Sequence, residues 1–163
     1  MNDRRKQVVI LDDEGPMVEA LRIRFSGRGW SVRGYADAAS FTASEIVSND
    51  PAVFIVDHDL GNGDVGYDVV QKLRETRPDG LALPIVYLTG RESEKGYLEM
   101  RLKMPNLRPS VFVSKNSLAS IDLVEVCEGL LDHYSQILEH EQVQTLRRAA
   151  AHLANSLPEE SDI

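Results

Sequence analysis

Five side chains able to do phosphate and metal chemistry punctuate this sequence: the carboxylates of Asp12, Asp13 and Asp57, the hydroxyl of Thr89 and the ammonium of Lys115. Each adjoins the end of a short apolar run. Val8-Val9-Ile10-Leu11 stops at Asp12-Asp13, and Ala52-Val53-Phe54-Ile55-Val56 ends on Asp57. Pro84-Ile85-Val86-Tyr87-Leu88 ends on Thr89, and Val111-Phe112-Val113 lies just before Lys115. Three carboxylates sharing a crevice repel one another, and their pKa values rise unless a cation joins them. Oxygen-only ligands suit a hard ion, and Mg²⁺ typically takes one or two carboxylates, several waters and a substrate phosphate. A carboxylate at a strand end can also attack phosphorus and form an acyl phosphate. Such transfer rests on positioning and charge neutralisation, which a metal ion and a lysine would supply. The Thr89 hydroxyl can donate to a phosphoryl oxygen, and Lys115 can pair with another. Singly, each residue has a bland alternative: an Asp-Asp pair is more often an N-cap and a solvated turn, and a lone Thr or Lys at a strand end usually means nothing. Their joint placement carries the chemistry.

That placement is the work of the elements in between. Pro16 falls where a first helical turn tolerates proline, and Met17, Leu21 and Phe25 follow at four-residue spacing. Gly27 and Gly29 end that helix. Trp30 to Tyr35 reads as a second, weaker strand, and a helix is predicted from Asp37, its N-cap, to Asn49. Gly61, Asn62, Gly63 and Gly66 mark a loop, Tyr67 to Arg77 a helix, and Glu92 to Met104 a less regular one. The central runs are apolar at successive positions, as in strands covered by helices on both faces. Strands alternating with helices predict an α/β fold, a doubly wound five-stranded parallel sheet with right-handed crossovers. In such sheets the ligand crevice lies beyond the carboxyl ends of the strands, where all five residues fall.

Asp12-Asp13-Glu14 after the first strand, Asp57 after the third, Thr89 after the fourth and Lys115 after the fifth resemble the receiver domain of two-component response regulators, over residues 7–131. The resemblance implies a flavodoxin-like receiver fold with Asp57 as phosphoacceptor. Asp12 and Asp13 would hold Mg²⁺, and the backbone carbonyl of Asp59 would complete the protein's share of the metal shell. Thr89 and Lys115 would grip the phosphoryl group. Phe112 matches the aromatic switch that turns inward when the threonine moves; without the resemblance, a plain core aromatic is the simpler account. Asp59 and Arg91 stand at positions flanking the mouth of the site, where they would tune phosphoryl arrival and departure; the alternative is two solvated loop charges. A histidine kinase or phosphotransfer protein is the implied donor, and a downstream protein the implied reader. The implied chemistry is self-catalysed phosphotransfer and dephosphorylation, not that of a classical enzyme.

The sequence departs from the family pattern in three places. Asn116 follows the lysine where a cis proline is usual, and because a non-proline cis bond costs about 3–4 kcal/mol the peptide is expected to be trans. Gly61 stands where proline is common. The stretch between Thr89 and Lys115 is longer than is typical, with the extra length around Pro105-Asn106-Leu107-Arg108-Pro109. These departures keep open a second reading, a receiver-like interaction module that works without phosphorylation. A third reading is enzymatic: Asp57-His58-Asp59 resembles the nucleophile motif of haloacid-dehalogenase-like phosphatases. Those enzymes place an acidic pair after the lysine and their Asp-x-Asp near the N-terminus, whereas here the acidic pair comes first. His58, His133, His140 and His152 do not have the spacing of a metal set and read as surface histidines.

The 163 residues carry 26 acidic and 18 basic side chains, a formal net charge of −8 that disfavours uniform contact with a nucleic-acid backbone. No apolar stretch approaches the ~20 residues that span a bilayer. No signal peptide is read at the N-terminus, where Arg4, Arg5 and Lys6 lead into a strand, so a cytoplasmic protein is expected. Cys127, the single cysteine, is expected to be a buried, inert thiol. The stretch after Lys115 is too short for a winged-helix or catalytic output domain, so either a single-domain regulator with a helical extension or a fragment of something longer is expected. Residues 117–157 are expected to be largely helical with Ser117 as N-cap, as a helical extension over 132–157, and 158–163 as a disordered tail. Leu123, Val126, Cys127, Leu130, Leu131 and Tyr134 give a broad face that covers a sheet. Val143, Leu146, Ala150, Leu153 and Leu157 step by three and four, a coiled-coil-like seam that predicts a homodimer. The two seams fall out of phase around residues 139–142, where a kink or a hairpin is expected.

Overall fold

A computed structural model of the chain describes residues 5–48, 50–61, 63–90 and 110–156. Strands β1 (Gln7–Leu11), β2 (Ser31–Tyr35), β3 (Val53–Asp57), β4 (Ile85–Thr89) and β5 (Ser110–Ser114) form one parallel sheet in the order β2-β1-β3-β4-β5. Every residue of β3 and β4 is buried, whereas the edge strand β2 is half-exposed throughout. This is why the central runs are continuously apolar and Ser-Val-Arg-Gly-Tyr is mixed.

Side chains of the sheet alternate between two cores. Val9, Leu11, Phe54, Val56, Ile85 and Tyr87 pack with helices α2 (Ala38–Glu45) and α3 (Gly66–Thr76). On the other face Val8, Ile10, Val53, Ile55, Val86 and Leu88 meet α1 (Gly15–Ser26) and the first turns of α4 (Leu123–Ser156). Leu21 and Phe25 are the buried residues of α1, and the helix closes at Gly27, whose amide donates to the Ile23 carbonyl at 3.0 Å. Asp37 caps α2 as expected, its carboxylate accepting from the Ser40 amide at 2.7 Å. The helix stops at Glu45, short of the predicted Asn49. Glu45 is itself buried and turned to the sheet, where it accepts from Arg33 Nε (2.9 Å) and Tyr35 Oη (3.1 Å).

Gly66 opens α3 against the backbone of Asp57, and a Cβ there would stand 2.2 Å from the Asp57 carbonyl oxygen. Only a glycine lets α3 approach so closely. The 3₁₀ turn Gly80–Ala82 leads from α3 to β4, and a second, Lys115–Ser117, follows β5.

The C-terminal helix corrects two expectations. Ser117 is not its N-cap: it ends the 3₁₀ turn, and its carbonyl accepts from the Ser120 and Ile121 amides. Asp122 takes the capping role, its Oδ1 accepting from the Glu125 amide at 3.1 Å. Nor does the chain fold back into a hairpin at 139–142. One helix of 34 residues runs from Leu123 to Ser156, across the 131/132 division without a break. Glu139, Glu141 and Gln142 are good helix formers, and no glycine or proline interrupts the stretch after Gly129. The change of seam is therefore a change in what the helix faces. Through Cys127 it covers the α1 side of the sheet, and Tyr134 joins the other core. Beyond that, Leu146 is 70% and Leu153 is 64% exposed. The predicted helix over 92–104, the long connection around 105–109, Leu157 and the tail 158–163 lie outside the described residues. No helix among the described residues is long and apolar enough to cross a membrane.

Candidate functional site

Parallel strands bring their carboxyl ends to one edge, and register decides which residues meet there. Leu11 pairs with Val56 and Asp57 with Leu88, so Asp12 follows β1 beside the end of β3. Thr89 pairs with Ser114, one residue before Lys115. Asp12, Asp57 and Thr89 are all buried, and a carboxylate is rarely buried unless it is paired. Carboxylate oxygens of Asp12, Asp13 and Asp57 lie within 4.8 Å of one another, the one group among the described residues that could hold a metal ion. The histidines form no such group there.

Lys115 enters from the far side. Its Nζ stands 3.2 Å from Asp57 Oδ2, 3.3 Å from Asp12 Oδ2 and 3.8 Å from Glu14 Oε2. The Asp59 amide donates to Asp57 Oδ1 at 3.2 Å, and the Glu14 amide to Asp12 Oδ1 at 2.9 Å. Asp12 Oδ2, fully buried, accepts no well-formed hydrogen bond among the described residues and has the Lys115 ammonium, at 3.3 Å, as its counter-charge. A buried carboxylate oxygen in that state, beside two more carboxylates and no nitrogen or sulfur ligand, fits a hard cation such as Mg²⁺.

Asp57 is electrostatically poised. Burial, and then the charge of Asp12, push its carboxyl up to about 6, against the pull of Lys115 and the Asp59 amide. Burial alone would depress Lys115, but the carboxylates of Asp12 and Asp57 outweigh it and hold the ammonium above its ordinary range. Burial pushes the Cys127 thiol up to about 12, so it is inert.

The other predicted residues are placed less decisively. The side chain of Asp59 is exposed, and the residue faces Val65 in an antiparallel bridge. Arg91 lies outside the described residues. Phe112 is half-buried on β5, its ring stacked on Tyr87 at 5.1 Å and 18°. The peptide after Lys115 is trans, as expected, since the described residues contain no cis peptide. Sequence reasoning passed over Glu14 as a neighbour of Lys115 and Tyr87 as a partner of Phe112. The first was signalled by adjacency to the acidic pair, the second only by strand register.

No protein-family model matches the chain, and no curated protein matches it in sequence. Solved structures do. A CheY-like response regulator receiver domain from Methanospirillum hungatei is 19% identical with a TM-score of 0.66, covering 82% of this chain and 98% of that one. Full-length FixJ from B. japonicum is 18% identical with a TM-score of 0.67, covering 94% and 70%. A structure described as an adenylate cyclase from Rhodopirellula baltica is 20% identical with a TM-score of 0.70, covering 87% and 98%. The chain has the receiver fold. The likeness is one of fold, and in this receiver fold the strand order leaves the crevice beside β1 and β3, where the acidic residues lie.

The raised Asp57 carboxyl predicts a stability signature. An unfolded aspartate titrates near 3.8, so between that value and about 6 the folded state binds the proton first. Stability therefore falls as pH rises through this window, and above it a charged Asp57 opposes folding. In metal-free buffer at neutral pH, Asp57→Asn should be more stable than the parent by on the order of 1 kcal/mol, allowing for solvent screening. The gap should close as pH falls below 3.8. Thermal melts across pH check this; a parent chain as stable as the variant at neutral pH contradicts it.

Proposed function

We propose that the chain is a phosphoacceptor response regulator, a receiver domain over 7–131 with a helical extension over 132–157. The observation that carries this reading is the buried Asp57 carboxylate at a sheet edge, flanked by Asp12, Asp13 and Lys115. In the reaction, an Asp57 oxygen attacks phosphorus of a phosphohistidine on a histidine kinase or phosphotransfer protein. The new O–P bond forms as the N–P bond breaks, and the imidazole leaves with the electron pair and takes up a proton. Asp12, Asp13, Asp57 and the Asp59 carbonyl would hold Mg²⁺, which when bound neutralises charge on the phosphoryl oxygens. Lys115 exchanges its contact with Asp57 for one with a phosphoryl oxygen, and the Thr89 hydroxyl donates to another. Phe112 is the candidate switch residue, its present site being the face of Tyr87. Asp59 and Arg91 would tune the lifetime of the acyl phosphate.

The product is a signal for a protein partner, not a turnover of substrate. The acidic net charge supports a protein that does not bind nucleic acid. The second reading, a module indifferent to phosphate, draws on the trans peptide at Asn116. Intact mass after incubation with acetyl phosphate and Mg²⁺ separates the two. One labile phosphate is expected on the parent and none on Asp57→Ala, with altered decay in Asp59→Asn and Arg91→Ala. A labelled Asp57→Ala overturns the assignment, labelling without a divalent ion overturns the metal role, and an unlabelled parent favours the second reading.

The extension is proposed to pair with a second copy of the chain. Val143, Leu146 and Leu153 repeat along the projecting helix and are exposed on the single chain, which a monomer does not need. Light scattering should give a dimer for the full chain and a monomer for Leu146→Glu/Leu153→Glu. A monomeric parent at micromolar concentration contradicts the pairing.

A further inference from the structure

The segment from Asp57 to α3 is folded as a narrow hairpin. The Gly66 amide donates to the His58 carbonyl (2.9 Å), the Leu60 amide to the Asp64 carbonyl (3.2 Å) and the Asp64 amide to the Gly61 carbonyl (2.9 Å). Two glycines in left-handed conformation turn it, Gly61 at φ +69° and Gly63 at φ +79°. Proline is barred from both, since its ring fixes φ near −65°, and other L residues are strained there. The surroundings of the two glycines differ. A Cβ on Gly61 would stand 3.2 Å from Asp13 Oδ2, whereas a Cβ on Gly63 would meet nothing within 4 Å among the described residues.

That difference matters because of which carboxylate is involved. Asp12 and Asp57 are buried and held by neighbours, but Asp13 is the exposed member of the trio. Its carboxylate is exposed, and the turn at Gly61 is one boundary on where it can lie. A carbon at 3.2 Å would push the carboxylate, or the turn, by a few tenths of an ångström. Magnesium tolerates little such movement, because it demands near-octahedral geometry at short distance. The site into which Asp13 leads also holds the buried Asp12 Oδ2, whose counter-charge is the Lys115 ammonium at 3.3 Å, so a displaced Asp13 leaves the trio a poorer cation site.

We infer that Gly61 is a positioning residue for the metal site: its bare Cα lets the hairpin close on Asp13 and leaves that carboxylate beside those of Asp12 and Asp57. The inference rests on the magnesium-dependent reading above. Groups that support a metal ligand are typically worth 10- to 100-fold in affinity, and a displaced single ligand should cost about tenfold.

The two glycines supply their own control. Gly61→Ala and Gly63→Ala impose similar backbone strain, but only the first presses on Asp13. Mg²⁺ titrations of the full chain, followed through the amide chemical shifts of Asp12 and Asp13, give the dissociation constant of each. Gly63→Ala is expected to match the parent and Gly61→Ala to bind about tenfold more weakly. Equal affinities in the two variants overturn the role of Gly61 while leaving the site reading intact. A parent that shows no saturable Mg²⁺ binding overturns the site reading, and the role of Gly61 with it. If strain unfolds the alanine variants, Gly61→Asn and Gly63→Asn repeat the comparison, because asparagine is the side chain best tolerated in left-handed backbone. Equal affinities in that pair overturn the inference in the same way.

Discussion

The Lys115 ammonium lies against two buried carboxylates, and that contact makes the carboxyl edge of the sheet tenable. Asp12 and Asp57 would otherwise face each other as like charges in a place with little water. Lys115 reaches both at just over 3 Å because β5 ends one residue before it, in register with the end of β4. The compensation is incomplete. Asp57 still titrates well above an ordinary aspartate, so the unliganded edge holds a charge that a divalent cation would relieve. Placing carboxylates there opposes folding and favours metal and phosphate chemistry, a conflict characteristic of functional sites.

At the opposite edge a second charged group has a different task. The buried Arg77 donates to both oxygens of Asp79 at 2.9 Å, and Tyr134 of α4 donates to the same carboxylate at 2.7 Å. Burial works against the charge on Asp79, but Arg77 and Tyr134 hold its carboxyl below the usual range. Here the polar groups satisfy one another, so the cluster is structural. It fixes the point at which the long helix leaves the domain, and therefore the direction in which Leu146 and Leu153 project. One edge of the sheet is left electrostatically unfinished, and the other anchors the long helix.

Much of this was legible because strands write their ends plainly. The apolar runs around Ile10, Ile55, Val86 and Phe112 gave the strands, and their termini gave Asp12, Asp57, Thr89 and Lys115. Asp37 was readable as a cap because a short carboxylate before a helix has one evident use. What escaped were features that depend on three-dimensional approach. The stacking of Phe112 on Tyr87 needs the β4–β5 register, and the approach of Gly61 to Asp13 joins two loops distant in sequence. Asp122 displaced Ser117 as the cap of α4 because the chain first makes a 3₁₀ turn, which leaves no periodic trace in so short a stretch. The predicted hairpin at residues 139–142 mistook a change of environment for a change of structure: the apolar seam moves around the helix, and the helix itself does not break.

The central claim is that Asp57 is a phosphoacceptor within a metal and lysine site. A crystal structure of the chain grown with Mg²⁺ and beryllofluoride tests it most directly. The account predicts a beryllofluoride adduct on an Asp57 oxygen and an ion held by Asp12, Asp13, Asp57 and the Asp59 carbonyl. Lys115 Nζ and Thr89 Oγ1 should each contact a fluorine. An Asp57 without adduct under those conditions, still paired with Lys115 and with no ion beside Asp12, would contradict it.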